Sequence, residues 1–344
     1  MCASEGHRKP MLPLRQQVVR LVAYPVGAIR AADFETVTEP MPVQAPGEVL
    51  IRNHAFLVAP SIKPLLSPDA APEPGVPYPP VRVGDIPGAA TLGEVCAGAL
   101  PAGTLVLHFR GWCEYTALPV DACQPVVSAL DPLWQLGHGW TAYAALTRGA
   151  KVRPGDVVFV GSAGGAIGSM AGQIARLLGA SRVVGSTSTR AKAERIRREL
   201  GYDAVIARSA GDFAEQLALV APEGLDIVID TVGGAQLEAT LSHARNSARF
   251  ALMGTLQQDL GTATELIGFD SYRFLANRVT MKAYSADDDV ASIPEWEERA
   301  LRWQAAGGLR FPHAKVIGIS EAPRALADAS AGCFLGAVIV SIHE

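Results

Sequence analysis

The sequence predicts an α/β protein in which a β-rich, barrel-like domain is followed by a doubly wound parallel sheet. Two observations predict this architecture. From residue 157 onward, apolar runs rich in β-branched residues alternate with segments of helical period, which is typical of a parallel sheet covered by helices. Before that point the apolar runs are short and recur about every 8 to 12 residues between turn-forming residues, which favours a compact barrel.

The most informative stretch is a βαβ unit at residues 157–190. Val157–Val160 is an apolar run that predicts a strand buried on both faces. Only small residues follow in Gly161–Gly165, and an apolar stripe of helical period then begins at Ile167. Gly179 stands where a helix C-cap is expected, just before the next apolar run. The glycines therefore lie at a strand-to-helix turn.

Small residues at such a turn predict a dinucleotide site. Backbone N–H groups at the helix start can contact a pyrophosphate, and the helix dipole favours its negative charge. Ser162, Gly165 and Gly168 fall at three-residue intervals, a looser pattern than GxGxxG. We expect Gly165, Ala166, Ile167 and Gly168 to bind the cofactor, and a purely structural turn is the alternative.

The end of the second strand predicts which dinucleotide binds. An NAD site places Asp or Glu about 20 residues after the glycines, whereas residues 185–192 read GSTSTRAK and the first acid is Glu194. Hydroxyls and cations suit a 2′-phosphate, which accepts charge-assisted hydrogen bonds. We therefore predict NADPH as the cofactor, with a solvated helix face as the alternative interpretation of the cations. The residues expected to hold the phosphate are Thr187, Ser188, Arg190 and Lys192.

Composition excludes several classes of function. The chain has 344 residues and a net charge of −4, so nothing favours nucleic acid or an anionic membrane as a partner. No apolar stretch reaches the roughly 18 residues of a membrane helix, and the N-terminus lacks the apolar core of a signal peptide. The five scattered cysteines form no CxxC pair, which favours neither a zinc ribbon nor a disulfide framework. We expect a cytoplasmic protein that acts on a small molecule.

The first domain is assembled from short strands. We predict strands at Gln17–Val22 and Glu48–Asn53 around a proline-rich connection, and further strands at Thr104–His108 and Trp112–Leu118. Residues 60–80 carry many prolines and little periodicity, so we expect an irregular surface loop that faces the substrate.

In the second domain helices and strands alternate, beginning with a helical pattern at Gly139. The strands predicted after the βαβ unit are 204–206, 225–230, 248–253 and 279–285, and the helices are 212–220, 235–243 and 296–306. A strand at 313–319, a helix at 322–329 and a strand at 337–342 end the chain. Alternation of this kind implies a doubly wound parallel sheet.

Further motifs accompany the glycines. They are GWTAY at 139–143, SAGGAIGS at 162–169, GQIA at 172–175, VVG at 183–185 with the downstream Lys192, DTVGG at 230–234 and GCFLG at 332–336. Together they resemble the medium-chain dehydrogenase/reductase superfamily, in particular its zinc-independent prostaglandin reductase, leukotriene B4 dehydrogenase and 2-alkenal reductase group. The resemblance implies a GroES-like β-barrel domain, completed by the C-terminal residues, around an inserted Rossmann domain.

This resemblance implies domain limits and further site residues. We expect a disordered lead-in at 1–16, a GroES-like substrate domain at 17–135 and 308–344, and a Rossmann NADPH-binding domain at 136–307. In the family, Lys192 matches the lysine that binds the 2′-phosphate, and Arg208 stands near a second phosphate-binding position. The residues that match contacts of the nicotinamide half are Thr141, Val232, Gly254 and Tyr284. The resemblance also implies a homodimer.

Two departures from the family pattern bear on chemistry. The GHE motif of zinc-dependent relatives is missing from Gly88–Val95 and their clustered cysteines are absent, so we expect no metal. The family's first-domain DPYMR becomes APSIK at residues 59–63, which puts Ser61 in place of a tyrosine at the active site.

These observations predict an NADPH-dependent, zinc-independent reductase that delivers hydride to a conjugated C=C–C=O (enone or enoyl) substrate. The resulting enolate needs a hydrogen-bond donor, for which we name Tyr284 and Ser61 as catalytic candidates. The alternative roles are structural: Tyr284 would form a wall of the pocket, and Ser61 would be a spacer. Three other functions stay open: a natural-product reductive cyclase in which hydride addition triggers ring closure, a quinone oxidoreductase, and a non-catalytic NADPH-binding protein.

Overall fold

The computed structural model describes residues 12–72, 79–256, 260–261 and 266–343. The strands are β1 (Arg15–Leu21), β2 (Phe34–Pro40), β3 (Glu48–Val58), β4 (Thr91–Gly98), β5 (Leu105–His108), β6 (Tyr115–Pro119), β7 (Gln124–Pro125), β8 (Val157–Val160), β9 (Arg182–Thr187), β10 (Ala204–Ala207), β11 (Leu225–Asp230), β12 (Ala244–Leu252), β13 (Thr280–Ala283), β14 (His313–Ile317) and β15 (Ala337–Ser341). The α-helices are α1 (Gly139–Ala144), α2 (Ala166–Leu177), α3 (Arg190–Leu200), α4 (Phe213–Val220), α5 (Gly234–Ser242), α6 (Ser271–Ala276), α7 (Ile293–Ala305) and α8 (Ala322–Ser330).

The first domain is built on a largely antiparallel sheet. Its strands run in the order β14-β15-β3-β4-β5-β7, β6 pairs with β3, and β1 and β2 form a separate hairpin. β15 closes against β3 in antiparallel register, with Val338 opposite Val58. The last two strands of the chain, β14 and β15, therefore belong to the same sheet as β3–β7.

The second domain is a parallel sheet of six strands in the order β10-β9-β8-β11-β12-β13. Side chains of β8 alternate between the two faces: Val158 and Val160 pack with α1, α2 and α7, whereas Val157 and Phe159 pack with α4 and α5. All four residues are buried, which explains the continuous apolar run. The direction of strand order reverses between β8 and β11, where a crevice opens at the carboxyl ends of the strands. The predicted fold class is confirmed.

Several predicted boundaries differ from the structure. β1 begins at Arg15, inside the predicted lead-in, whose residues 1–11 lie outside the described part of the chain. β3 continues to Val58 instead of Asn53, because its last four residues remain buried. Hydrophobic and polar residues alternate too weakly in β2 to predict it.

The proline-rich stretch at 60–80 is partly ordered. Pro60–Leu65 forms a 3₁₀ turn that buries Ile62 and Leu65, while residues 73–78 lie outside the described part. In the described ranges, no helix combines the length and the apolar character needed to cross a membrane.

A buried polar chain links β3, β5 and the segment before β6 in the first domain. The Nδ1 atom of His108 accepts from the Arg110 N–H at 3.1 Å, so the proton lies on Nε2, which donates to Asn53 Oδ1 at 2.9 Å. Asn53 in turn donates to the Cys113 carbonyl at 2.9 Å. Burial, assisted by the charge of Arg110, lowers the pKa of His108 to about 4.

This low pKa predicts an acid-sensitive fold. The unfolded chain takes up a proton at this histidine below about pH 6.5, whereas the folded chain resists it until about pH 4. The contribution of His108 to the free energy of unfolding is therefore complete above the pKa of the unfolded chain. It falls as the pH drops through this window, by up to about 1.4 kcal/mol per pH unit. His108→Gln keeps a donor for Asn53 and does not titrate. We expect its free energy of unfolding in urea to fall less between pH 7 and pH 5 than that of the wild type, and parallel losses would contradict the assignment.

Candidate active site

The turn between β8 and α2 is packed backbone to backbone. The Gly165 N–H donates to the Ser162 carbonyl at 2.8 Å, and Ser162 adopts a positive φ of 50°. A Cβ atom added at Gly168 would overlap the Ser162 carbonyl oxygen and the Ala163 backbone. Only glycine fits at residue 168, because the first turn of α2 lies directly on the preceding loop.

The start of α2 presents backbone N–H donors that make no hydrogen bond to another residue described by the structure. Gly165 is the N-cap and supplies no side-chain acceptor, so the first N–H groups of this 12-residue helix have no partner within the helix. Ala166, Ile167 and Gly168 line a cleft there. The geometry suits a pyrophosphate, whose charge the helix dipole stabilises.

The turn is held in place by polar side chains beneath it. The Ser162 N–H donates to Ser186 Oγ at 3.3 Å, and that hydroxyl donates to the buried amide oxygen of Gln236. Asp230, at the end of β11, accepts from the N–H groups of Val232 and Gly233 at 3.1 and 3.0 Å. Burial raises the pKa of Asp230. These bonds fix the carboxyl ends of three neighbouring strands.

A cationic corner lies at the end of β9. Thr187, Ser188, Lys192 and Arg208 all line the cleft there. The Nζ atom of Lys192 donates to the Gly332 carbonyl at 2.8 Å. Burial, with the neighbouring arginines, lowers the pKa of Lys192. An anion bound beside it would offset this loss of hydration, so the corner suits a phosphate.

The remainder of the cleft is mainly apolar. The whole cleft, with the cationic corner and the glycine turn included, has a volume of about 300 Å³ and lies between the two domains. Its apolar side chains are Leu57, Val58, Met253, Leu256, Leu260, Phe334 and Val338. Two polar side chains of the first domain and of the α1 entry, Ser61 and His138, join them.

A larger cavity of about 590 Å³ lies in the first domain among Arg20, Asp85 and Arg110. It shares no residue with the glycine turn. Because none of the predicted cofactor-binding residues lines it, the chemistry is assigned to the smaller cleft.

The C-terminal loop closes one side of the cleft. The Gly336 N–H donates to the Gly164 carbonyl at 3.0 Å, which ties the loop before β15 to the glycine turn. A Cβ at Gly336, whose φ is 85°, would overlap the Pro312 carbonyl, so this approach requires glycine. The two domains thus meet through backbone contacts at the site.

The structure brings most of the predicted residues together. Those that line the cleft are Ser61, Gly165, Ala166, Ile167, Gly168, Thr187, Ser188, Lys192, Arg208 and Gly254. Three other predicted cofactor contacts lie beside it: Arg190 is exposed at the start of α3, Val232 is buried next to the cleft-lining Thr231, and Thr141 lies one helical turn beyond His138.

Tyr284 lies away from the cleft lining. Its ring packs against Gly149 and Ala251 in the core, and its hydroxyl donates to Asp289 Oδ2 at 2.7 Å. Burial and this carboxylate raise the pKa of Tyr284. Its hydroxyl is committed to Asp289, so the geometry favours Ser61 over Tyr284 among the predicted catalytic candidates.

Sequence reasoning missed His138 as a cleft residue. Its position directly before the GWTAY motif was the only sequence feature that could have indicated this role. A single histidine before a helix forms no recognisable pattern. The apolar lining by Met253 and Phe334 was missed as well, because these residues come from segments remote in sequence.

The cleft does not fit a zinc ion. Within the described ranges, no group of three or more His, Cys, Asp or Glu side chains is close enough to hold a metal. The described lining of the cleft contains one imidazole, that of His138, and no thiol or carboxylate. We derive no step through a metal.

The close approach at Gly168 predicts a steric defect on substitution. Gly168→Ala places a methyl group on the Ser162 carbonyl, so the turn and helix must separate. We expect the free energy of unfolding to fall by about 1–3 kcal/mol. Gly254→Ala is the control, because its Cβ would lie 3.4 Å from the Thr231 carbonyl, an ordinary contact. Equal midpoints of unfolding for Gly168→Ala and the wild type would refute the crowding argument.

Comparisons with known proteins agree with this geometry. Residues 17–126 match the family described as "N-terminal domain of oxidoreductase", and residues 166–306 match "Zinc-binding dehydrogenase". The NADPH-dependent curcumin reductase of Escherichia coli is 27% identical over 338 residues, covering 94% of this chain and 95% of the relative. The 2-alkenal reductase (NADP(+)-dependent) of Nicotiana tabacum is 29% identical and covers 70% of this chain and 72% of its own.

Comparison with solved structures also identifies similar proteins. CurA from Vibrio vulnificus superposes with a TM-score of 0.86 at 28% identity, covering 96% of this chain and 99% of CurA. Its complex with NADPH superposes with a TM-score of 0.84 over 95% of this chain and 99% of that one. The chain is therefore an oxidoreductase that belongs to the medium-chain dehydrogenase/reductase superfamily.

Proposed function

We propose that this chain reduces the C=C bond of a conjugated enone or enoyl compound, with NADPH as the reductant and without zinc. The observation that carries the proposal is one continuous cleft, which joins the cationic corner and the glycine turn to an apolar pocket. A phosphorylated dinucleotide and an apolar acceptor can occupy such a cleft side by side.

The cofactor is NADPH, as the NADPH-dependent relatives and the CurA complex indicate. Lys192, Ser188 and Thr187 would hold its 2′-phosphate, and the N–H groups at the start of α2 would hold its pyrophosphate. When bound, NADPH supplies a hydride to the electron-poor carbon of the acceptor.

The cleft supports a conjugated, mostly apolar substrate. Met253, Leu57 and Phe334 provide apolar walls, which exclude water and hold an acceptor close to the cofactor site. Two relatives are named 2-alkenal reductase and (+)-pulegone reductase, and a 2-alkenal carries a C=C bond conjugated to a carbonyl. These names support the same reaction class here.

The proposal assigns charge stabilisation to donors in the cleft. As the β-carbon gains a hydride, negative charge moves to the carbonyl oxygen, and a proton then adds to the α-carbon. Ser61 lines the cleft from the 3₁₀ turn Pro60–Leu65 and is exposed to it. Lys63, on the same turn, donates to the Leu260 carbonyl at 2.7 Å, so this turn is tied to the opposite wall of the cleft.

A substrate panel tests the proposal directly. We expect the protein to oxidise NADPH with trans-4-phenyl-3-buten-2-one, and the product to gain two hydrogens at the C=C bond by mass spectrometry. A benzoquinone serves as the comparison acceptor, and a polyene enone reveals ring closure as a product that gains two hydrogens, loses two double bonds and gains one ring. Oxidation with the quinone alone, or binding of NADPH with no oxidation, would overturn the proposal.

The phosphate assignment yields a separate prediction. Lys192→Ala removes a donor to the 2′-phosphate, and a charged hydrogen bond contributes about 1.5–3 kcal/mol, so the Kd for NADPH should rise about 10-fold or more. The Kd for NADH, which lacks this phosphate, should change far less. Arg197→Ala is the matched control, since Arg197 lies on the exposed face of the same helix. Fluorescence titration measures each Kd, and equal weakening for both cofactors would show that Lys192 does not bind the phosphate.

A further inference from the structure

His138 is the one titratable side chain that lines the cleft away from the cationic corner. In the described part of the chain, the titratable residues of the cleft lining are His138, Lys192 and Arg208. Lys192 lies in the first turn of α3, which follows β9, and Arg208 lies just after β10, so both are on one side of β8. Their charges are therefore placed for a phosphate rather than for the acceptor.

The position of His138 is on the other side of the cleft. It precedes α1, which continues into the turn 145–149. Trp140, two residues after His138, donates from Nε1 to Ser292 Oγ at 2.9 Å, in the segment that follows β13. A dinucleotide that crosses the β8 turn with its phosphorylated end at β9 extends its other end toward β11 and β12. His138 thus belongs to the half of the cleft where the acceptor must lie.

The backbone at His138 is clamped on both sides. A Cβ at Gly137 would overlap the ring of Phe311, and a Cβ at Gly139 would overlap the ring of Trp296. The Ala142 N–H also donates to the His138 carbonyl at 2.9 Å. Two rings and a helical hydrogen bond therefore fix the backbone position of His138. A catalytic side chain requires such a rigid backbone.

The imidazole has one nitrogen engaged and one available. Nδ1 lies 3.4 Å from Thr141 Oγ1. Among the residues that the structure describes, Nε2 has no hydrogen-bond partner and is not sealed from solvent. If the Thr141 hydroxyl donates to Nδ1, the proton must lie on Nε2, because a neutral imidazole carries only one N–H. Burial lowers the pKa of His138, which keeps the ring neutral near pH 7.

We propose that His138 is a catalytic residue whose Nε2–H donates a hydrogen bond to the carbonyl oxygen of the acceptor and stabilises the enolate charge. Thr141 is the positioning residue that selects this tautomer. The step transfers no proton from the ring. The hydride from NADPH forms a C–H bond at the β-carbon, the π electrons of the C=C bond form the new double bond between the α-carbon and the carbonyl carbon, and the π electrons of the carbonyl move onto its oxygen. Water then protonates the α-carbon as the carbonyl re-forms. This inference rests on the enone reduction proposed above.

Two conservative variants separate this role from a structural one. The amide nitrogen of His138→Gln can reach the region of Nε2, whereas that of His138→Asn can reach only the region of Nδ1 and Thr141. Loss of a preorganised donor to an oxyanion lowers kcat about 10²–10³-fold, so we expect this loss for His138→Asn and His138→Phe. His138→Gln should recover most of the activity, and the Kd for NADPH should stay within about threefold of the wild type in all three variants.

Matched substitutions at the exposed His343, which follows β15, serve as controls. Full activity in His138→Asn would overturn the inference. So would equal losses in the Gln and Asn variants, or losses that follow a weakened Kd for NADPH, because these outcomes indicate a structural role.

A second readout does not depend on turnover. The saturated ketone 4-phenylbutan-2-one, labelled with ¹³C at the carbonyl, is bound to the protein in the presence of NADP⁺. We expect its infrared carbonyl band to shift to lower frequency in the wild type and in His138→Gln, and to return toward the unshifted position in His138→Asn. An unshifted band in the wild type overturns the inference. If the wild type shows the shift but oxidises NADPH with no enone, the proposed function fails while the hydrogen bond stands.

Discussion

The site depends on the close approach of main chain to main chain between β8 and α2. Gly168 lies against the Ser162 carbonyl, and the Gly165 N–H closes the turn on the same oxygen. Because no side chain fills this space, the first N–H groups of α2 face the cleft unpaired. This turn fixes the position of the cationic corner relative to the apolar pocket, because both are attached to the strands that flank it.

The local sequence pattern was sufficient to predict the secondary structure of this part of the molecule. The buried run of β8, the small residues after it and the apolar stripe of α2 are adjacent in sequence, so periodicity alone predicted both elements and the turn. The absence of an early acid after β9 likewise predicted hydroxyl and cationic side chains at the cofactor site, and Lys192 and Ser188 do line the cleft; their contact with a phosphate stays a prediction. In each case the residues that act together are near neighbours in the chain.

Sequence reasoning was weaker where the site is assembled from distant segments. His138 is oriented by Phe311 and Trp296, which follow it by more than a hundred residues, and no periodic signal reports such packing. Tyr284 is a different case. Its partner Asp289 stands only five residues later, in an acidic turn, so a local competitor for its hydroxyl was visible in the sequence. The homodimer implied by the family resemblance and the predicted domain limits stay predictions.

The pairing of β15 with β3 has a consequence for biosynthesis. The ribosome synthesises β3 long before β15, so residues 55–58 of β3, which pair with β15, lack their partner strand until the whole nucleotide-binding domain has been made. Bare edges are templates for intermolecular pairing, and such long-range closure is slow. The order of translation therefore allows the parallel-sheet domain to fold first. The barrel is the part of the nascent chain that most needs chaperones.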